Sequence, residues 1–305
     1  MAALRVLGVG PGKTVVVPAL TFPAPAAAAA WLGAQVRLCD VEQDTMNLSA
    51  RTLSPCLDDS VALVIAIDQF GNPAPYDELE PLLAARGIPL VVDAACSLGS
   101  AWQGRPCGGF GLMSTMSFHP RKVVSTGEGG AILTDDDELA ASVRRERNHG
   151  LESGAFVLPA LNLRMGEVPA AIGLKQLAKL ESIVAQRRAL SQRYLGALSI
   201  EVQVELKSAV SNRQTLAAAL PAHIDRRRFV QAMASHGVEV GPLSYCCTDL
   251  PSLAAHLAKD QAATPVARDL ASRGVALPLY PQMTVDEVDT VVRLVQNLSY
   301  VESAP

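Results

Sequence analysis

Unbroken apolar runs separated by turn residues dominate the first half of the chain. Thr14–Val17, Gln35–Cys39, Val61–Ile67 and Ile88–Val92 read as buried strands. Between them, Pro25–Gly33 and Asp77–Arg86 have helical texture, the second stopping at Gly87, while Pro18–Phe22 reads as a loop and the FGNPAP stretch as a turn. Strand and helix in alternation, with strands apolar throughout, predict a mostly parallel sheet covered on both faces. Further on, Met113–Phe118 and Gly130–Thr134 read as two more strands. Asp136–Arg147 is a helix with acidic residues in its first turn and arginines in its last, ending at Asn148-His149-Gly150. Apolar residues at helical spacing over Gly166–Leu198 predict one long helix or two. From about Ser199 the texture changes: short strands at Ile200–Leu206, Arg213–Leu220 and Val238–Pro242 alternate with helices at Asp225–His236 and Val285–Leu298. The reading is an α/β protein, with a large domain over residues 1–195 and a smaller α+β domain over 196–305.

Composition narrows this picture. With 305 residues, 49% of them hydrophobic and 18% charged, the chain can bury a substantial core. A net charge of −4 excludes the basic footprint of a nucleic-acid binder. No segment reaches the roughly 18 apolar residues of a membrane span, and the alanine-rich Pro23–Leu32 lacks the basic flank of a signal peptide. The six cysteines show neither CxxC pairs nor Cys/His ligand spacing, which suits reduced thiols in a cytosolic protein and no metal site. GVGPGKT imitates a phosphate loop, but only three residues lie between Gly8 and Gly12 where four are needed, and a strand follows instead of a helix. Gly10-Pro11-Gly12 is read as a turn.

Candidate chemistry gathers at the strand ends. Asp93 lies just past the carboxyl end of its strand, the side on which parallel sheets bind ligands. The segment SFHPRKVVSTGEGG, residues 117–130, carries Ser117 and Lys122. A lysine that forms a Schiff base must shed its proton near neutral pH, which needs desolvation or a cationic setting. His119, Arg121, Val123 and Val124 can supply both. Taken singly, a lysine is ordinarily a solvated surface residue, an aspartate a turn or cap residue, and a serine a satisfied hydroxyl. Together and in this order they match the needs of pyridoxal phosphate: an amine for its aldehyde, a carboxylate for its pyridinium nitrogen and a hydroxyl for its phosphate.

Several blocks extend this match over nearly the whole chain: VPALTFPAPAAAAAWLGAQVRLCDV, FGNPAPYDEL, VVDAACSLGSAWQGRPCGGFG, the Lys122 segment with its continuation to Gly150, LNLRMGEVPAAIGLKQL and VALPLYPQMTVDEVDTVV. In these the sequence resembles the DegT/DnrJ/EryC1/StrS aminotransferases, fold-type-I enzymes that use pyridoxal 5'-phosphate, mostly on keto sugars attached to nucleotides. The resemblance implies Lys122 as Schiff-base lysine and proton carrier, Asp93 at the pyridine nitrogen, Ser117 at the phosphate and Phe22 on the ring face. It implies that Asn162 reaches the phosphate site of a neighbouring subunit, so that the unit is a homodimer. Glu128 and Arg164 are expected beside the substrate or in a structural role.

Three departures stand out. The chain begins several dozen residues later than the family does, so that a Gly-Thr-type turn at a helix N-terminus, where free amides and the helix dipole hold phosphate, is expected to lie outside it. Cys96 occupies the position at which the family usually places a Gln or His toward the cofactor's ring hydroxyl. Thr248, in SYCCTDLPS, stands where a histidine is common. The expected activity is amino transfer from Glu or Gln to a keto sugar or related cyclic ketone of secondary metabolism. A non-catalytic homologue acting as partner subunit, and other carbanion chemistry such as elimination or cyclisation, remain open at this level.

Overall fold

The computed structural model describes residues 1–300. Its central sheet runs Gln35–Cys39, Thr14–Pro18, Val61–Ile67, Leu90–Asp93, Met113–Ser117, Gly130–Leu133 in spatial order. The first five strands are parallel and the last is antiparallel. Residues alternate across the sheet, so Val15, Val17, Leu63, Ile65 and Val91 enter one core while Val16, Val64, Leu90 and Val92 enter another. Because both faces are covered, Val61–Ile67 has no polar position and reads as a continuous apolar run, whereas Gln35–Cys39 carries Arg37 and Met113–Ser117 carries Ser114 and Thr115. Ala26 and Ala29 of the Ala24–Trp31 helix are fully buried in the first core, and Leu79 and Leu83 of the Tyr76–Ala84 helix line the second.

A four-stranded antiparallel sheet follows, in the order Glu201–Val202, Leu216–Ala219, Gly274–Leu277, Gly241–Pro242. Leu216 and Ala218 face a separate core lined by Phe229 and Met233 of the Arg226–Ser235 helix and by Val288, Val291 and Val295 of the Val285–Tyr300 helix. Ala217 and Ala219 face the other way, into the core built around Val15 and Val17. The small sheet is thus welded to the large one through alanines, whose short side chains let the layers approach.

Several sequence expectations need correction. Pro18–Phe22 is no plain loop: Leu20–Thr21 is a strand, antiparallel to Tyr245–Cys246. Of the two alternatives left for Gly166–Leu198, the structure takes the second, with helices Glu167–Leu177 and Leu180–Leu195. The expected strands 200–206, 213–220 and 238–242 shorten to two, four and two residues. The Pro265–Arg273 helix and the Gly274–Leu277 strand carry no period long enough to announce them. Asp93 is the last residue of its strand rather than the first beyond it. The Asp137–Glu146 helix is capped as its charges suggest, Asp136 accepting from the amides of Glu138 and Leu139.

Candidate active site

Asp93 and Thr115 are register partners on neighbouring parallel strands, and Ser117 ends the second of these strands. The turn after Asp93 and the loop after Ser117 therefore leave the sheet side by side at its carboxyl edge. That adjacency brings Lys122 Nζ to 3.1 Å from Cys96 Sγ. The lysine loop is folded back on itself: the amides of Phe118 and Thr126 donate to the carbonyls of Gly129 and Phe118, each at 2.9 Å, and Lys122 N donates to His119 O. Val124 is buried beneath it, and Gln214 Nε2 donates to Arg121 O at 2.5 Å. Lys122 thus sits half-buried on a pinned loop.

Asp93 Oδ1 accepts from the Ala95 amide at 3.0 Å. Burial pushes the Asp93 carboxyl above the usual carboxylate range, and the Ala95 amide, the charge of Lys122 and the chain's amino terminus each pull it back. Burial likewise lowers the amine of Met1, with Asp93 opposing. Ser117 Oγ accepts from the His119 amide at 3.4 Å and donates to no described residue. Phe22 projects from the end of the Leu20–Thr21 strand, 66% exposed, and meets Tyr245 edge-on with ring centroids 6.2 Å apart.

Other residues singled out in the sequence lie differently. Asn162 is exposed, bridges to Asn148 through the backbone and accepts from the Arg164 amide; among the described residues it has no hydrogen bond to Asp93, Cys96, Ser117 or Lys122. Arg164 donates to the Asn148 side chain. Glu128 is exposed, 3.8 Å from His119 Nε2. Thr248 shares a 2.7 Å hydrogen bond with Thr264. Among the described residues no group of three or more His, Cys, Asp or Glu is arranged to hold a metal ion, and no helix is long and apolar enough to cross a membrane.

The set at the sheet edge comprises one amine, one desolvated carboxylate that a cation would relieve, and one hydroxyl free to donate. It suits a ligand with an aldehyde, a basic ring nitrogen and a phosphate. Comparison with known proteins agrees. The profile of the DegT/DnrJ/EryC1/StrS aminotransferase family matches residues 1–296. The chain belongs to this family.

Members of this aminotransferase family depend on pyridoxal phosphate, and the chain shares their fold-type-I architecture. It is 29% identical over 300 residues to a GDP-perosamine synthase of Caulobacter vibrioides, covering 95% of this chain and 80% of that one. DesV of S. venezuelae, solved with a ketimine intermediate, superposes with a TM-score of 0.91 at 26% identity, covering 98% of this chain and 81% of that one. DesI, solved in the presence of its TDP-sugar product, gives 0.88 at 27% identity, with 98% and 79% covered.

Behind the site of this aminotransferase lies a polar network that sequence reasoning missed. Asp68, fully buried at the end of the Val61–Ile67 strand, accepts from Ser97 Oγ at 2.5 Å, from the Ala74 amide at 3.0 Å and from Tyr76 OH. Burial raises its pKa against those donors. Asn212 donates to the carbonyls of Cys96 (2.8 Å) and Leu98 (2.9 Å). Together they fix the turn that carries Cys96. Asp68 had a signal, since it follows an apolar strand just as Asp93 ends one; Asn212, in a loop 116 residues beyond Cys96, had none.

Gly71 closes this network at φ +91°, where a Cβ would stand 2.0 Å from Asn212 Oδ1. Gly71→Ala is expected to cost about 2 kcal/mol or more through the strained backbone and the displaced amide. A thermal melt should show the loss. A melting temperature equal to wild type would mean that Asn212 can move away freely.

Proposed function

We propose that the chain transfers an amino group from an amino acid, glutamate or glutamine, to the keto group of a nucleotide-linked sugar or related cyclic ketone of secondary metabolism. The observation that carries this reading is the placement of Asp93 and Lys122 at the ends of adjacent elements of one sheet edge. The named activities of the GDP-perosamine synthase relative and of DesI support the acceptor class.

Pyridoxal phosphate, when bound, supplies an electron sink for the pair released as a proton leaves the substrate carbon. The rest falls to this chain's residues. Lys122 Nζ holds the cofactor and afterwards takes and returns the proton. A pinned loop suits that task, because a proton carrier must stay within hydrogen-bond reach of both carbons it serves. Asp93 is the anion that keeps the ring nitrogen protonated, and burial strengthens that pairing. Ser117 Oγ would donate to the phosphate, and Phe22 would shield the ring from water. Cys96 would offer the ring's hydroxyl a thiol, a weaker donor than an amide or imidazole. We place Asn162 at the phosphate site of a second subunit. Exposed Phe156, Val168 and Leu174 (71–74% accessible) on the same stretch of chain support a homodimer.

The test is spectroscopic. Protein loaded with pyridoxal phosphate should lose its visible band on addition of L-glutamate and regain it when a GDP- or TDP-linked keto sugar follows. A loaded protein indifferent to every amino donor would overturn the amino-transfer reading and favour a non-catalytic partner subunit.

A further inference from the structure

The chemistry described above gives Cys96 a minor part, yet its sulfur is the hydrogen-bond partner of the central amine, 3.1 Å from Lys122 Nζ. Among the described residues this is the one lysine–cysteine hydrogen bond. Both groups are held from behind: Asn212 clamps the Cys96 and Leu98 carbonyls, and the lysine loop is closed on its own backbone over buried Val124. Cys96 is also half-buried rather than sealed in the core, which leaves a small oxidant a route to it. Burial raises the thiol's pKa and the neighbouring ammonium lowers it. Left alone, such a thiol would be a poor nucleophile, but an ammonium within hydrogen-bond reach stabilises the thiolate that attacks, and the hydroxide displaced from the peroxide takes a proton from that ammonium and leaves a free amine.

We propose that Cys96 and Lys122 form a reversible sulfur–nitrogen bridge on exposure to a peroxide, which removes the amine from service. In the first step the Cys96 sulfur attacks one peroxide oxygen. The O–O bond breaks, the sulfur is oxidised by two electrons to a sulfenic acid, and the other oxygen leaves as water. In the second step the Lys122 nitrogen lone pair attacks the sulfenyl sulfur. An S–N bond forms, the S–O bond breaks, and the departing hydroxide takes a proton from nitrogen and leaves as water. A thiol reverses the bridge: its sulfur attacks the Cys96 sulfur and frees the amine, and a second thiol then reduces the mixed disulfide. Every group needed is present in the apoprotein. Only the consequence, loss of cofactor binding, rests on the proposed role of Lys122.

The apoprotein should be treated with stoichiometric hydrogen peroxide, digested and examined by mass spectrometry. The expected product is one cross-linked peptide containing residues 96 and 122, lighter than its two parts by two hydrogen atoms and cleaved by dithiothreitol. It should be absent from Cys96→Ser and from Lys122→Arg, and scarce in protein loaded with pyridoxal phosphate beforehand. Oxidation of Cys96 straight to sulfinic acid with the Lys122 peptide unchanged, or no reaction at Cys96, would overturn the proposal. Cofactor uptake is read separately: the bridged protein should develop no visible band until dithiothreitol is added. Untreated protein without a band would count against the cofactor role of Lys122 and leave the bridge standing on its mass.

Discussion

Lys122→Ala is expected to abolish the visible band that pyridoxal phosphate develops on the wild-type protein, together with its fixation by borohydride. Turnover should fall by at least about 10³-fold, since one substitution removes both the proposed covalent anchor and the proposed proton carrier. The fold should survive. Among the described residues Nζ bonds only to Cys96 Sγ, while the loop is held by Phe118–Gly129, Thr126–Phe118 and the buried Val124, none of which alanine touches. A melting temperature close to wild type therefore belongs to the expected result. Partial rescue by a small primary amine would show that the amine, rather than the shape of the loop, was lost. A variant that keeps the band would place the cofactor on another residue and dissolve the site as drawn.

The second substitution pulls stability and activity in opposite directions. Burial holds the Asp93 carboxyl above its unfolded value, so the folded apoprotein binds a proton there more readily than the unfolded chain does. This contribution makes the apoprotein more stable as the pH falls through the raised value and less stable as it rises. Asp93→Asn replaces the charge with a neutral side chain of the same shape that can still accept from the Ala95 amide. The apoprotein should accordingly melt higher at neutral pH, by about 2 °C per kcal/mol gained, with the advantage shrinking in mildly acidic buffer. Activity should fall by about 10²-fold as the anion opposite the ring nitrogen disappears. Melts of both apoproteins at mildly acidic and mildly alkaline pH, beside turnover, decide the matter. A lower melting point at neutral pH would mean that the two nearby cations outweigh desolvation.

How much of this was legible beforehand depended on distance along the chain. Val61–Ile67 and the strand ending at Asp93 declared themselves because burial on both faces leaves no polar interruption, and Lys122 stood out because small and apolar neighbours surround it. The Leu20–Thr21 strand could not be seen: two residues have no period, and their partner, Tyr245–Cys246, belongs to another part of the fold. Phe22 was marked by resemblance to the family, but its contact with Tyr245 follows from that distant pairing. The closeness of Cys96 and Lys122 was equally hidden, since it depends on which strands are neighbours in the sheet. Asp68 and Asn212 show the same limit for buried polar groups, whose partners are chosen in three dimensions.

The welding of the two sheets has a kinetic consequence. Asp40, just beyond the Gln35–Cys39 strand, accepts from the amides of Val266 and Ala267 at the start of the Pro265–Arg273 helix, 226 and 227 residues further on. Thr21, beside Phe22, pairs with Tyr245 over a similar separation. Closing loops of that length precedes any reward from the contact, so these pairings form slowly and late. During synthesis the parallel sheet can condense first, carrying Asp93 and Lys122 at its edge, while the mouth around Phe22 waits for the last part of the chain to emerge. A nascent chain stalled before residue 245 should thus present Asp93 and Lys122, the proposed anchoring groups, without the contact between Phe22 and Tyr245. The order of assembly, rather than any gate, delays completion of the proposed site until the segment around Tyr245 has emerged.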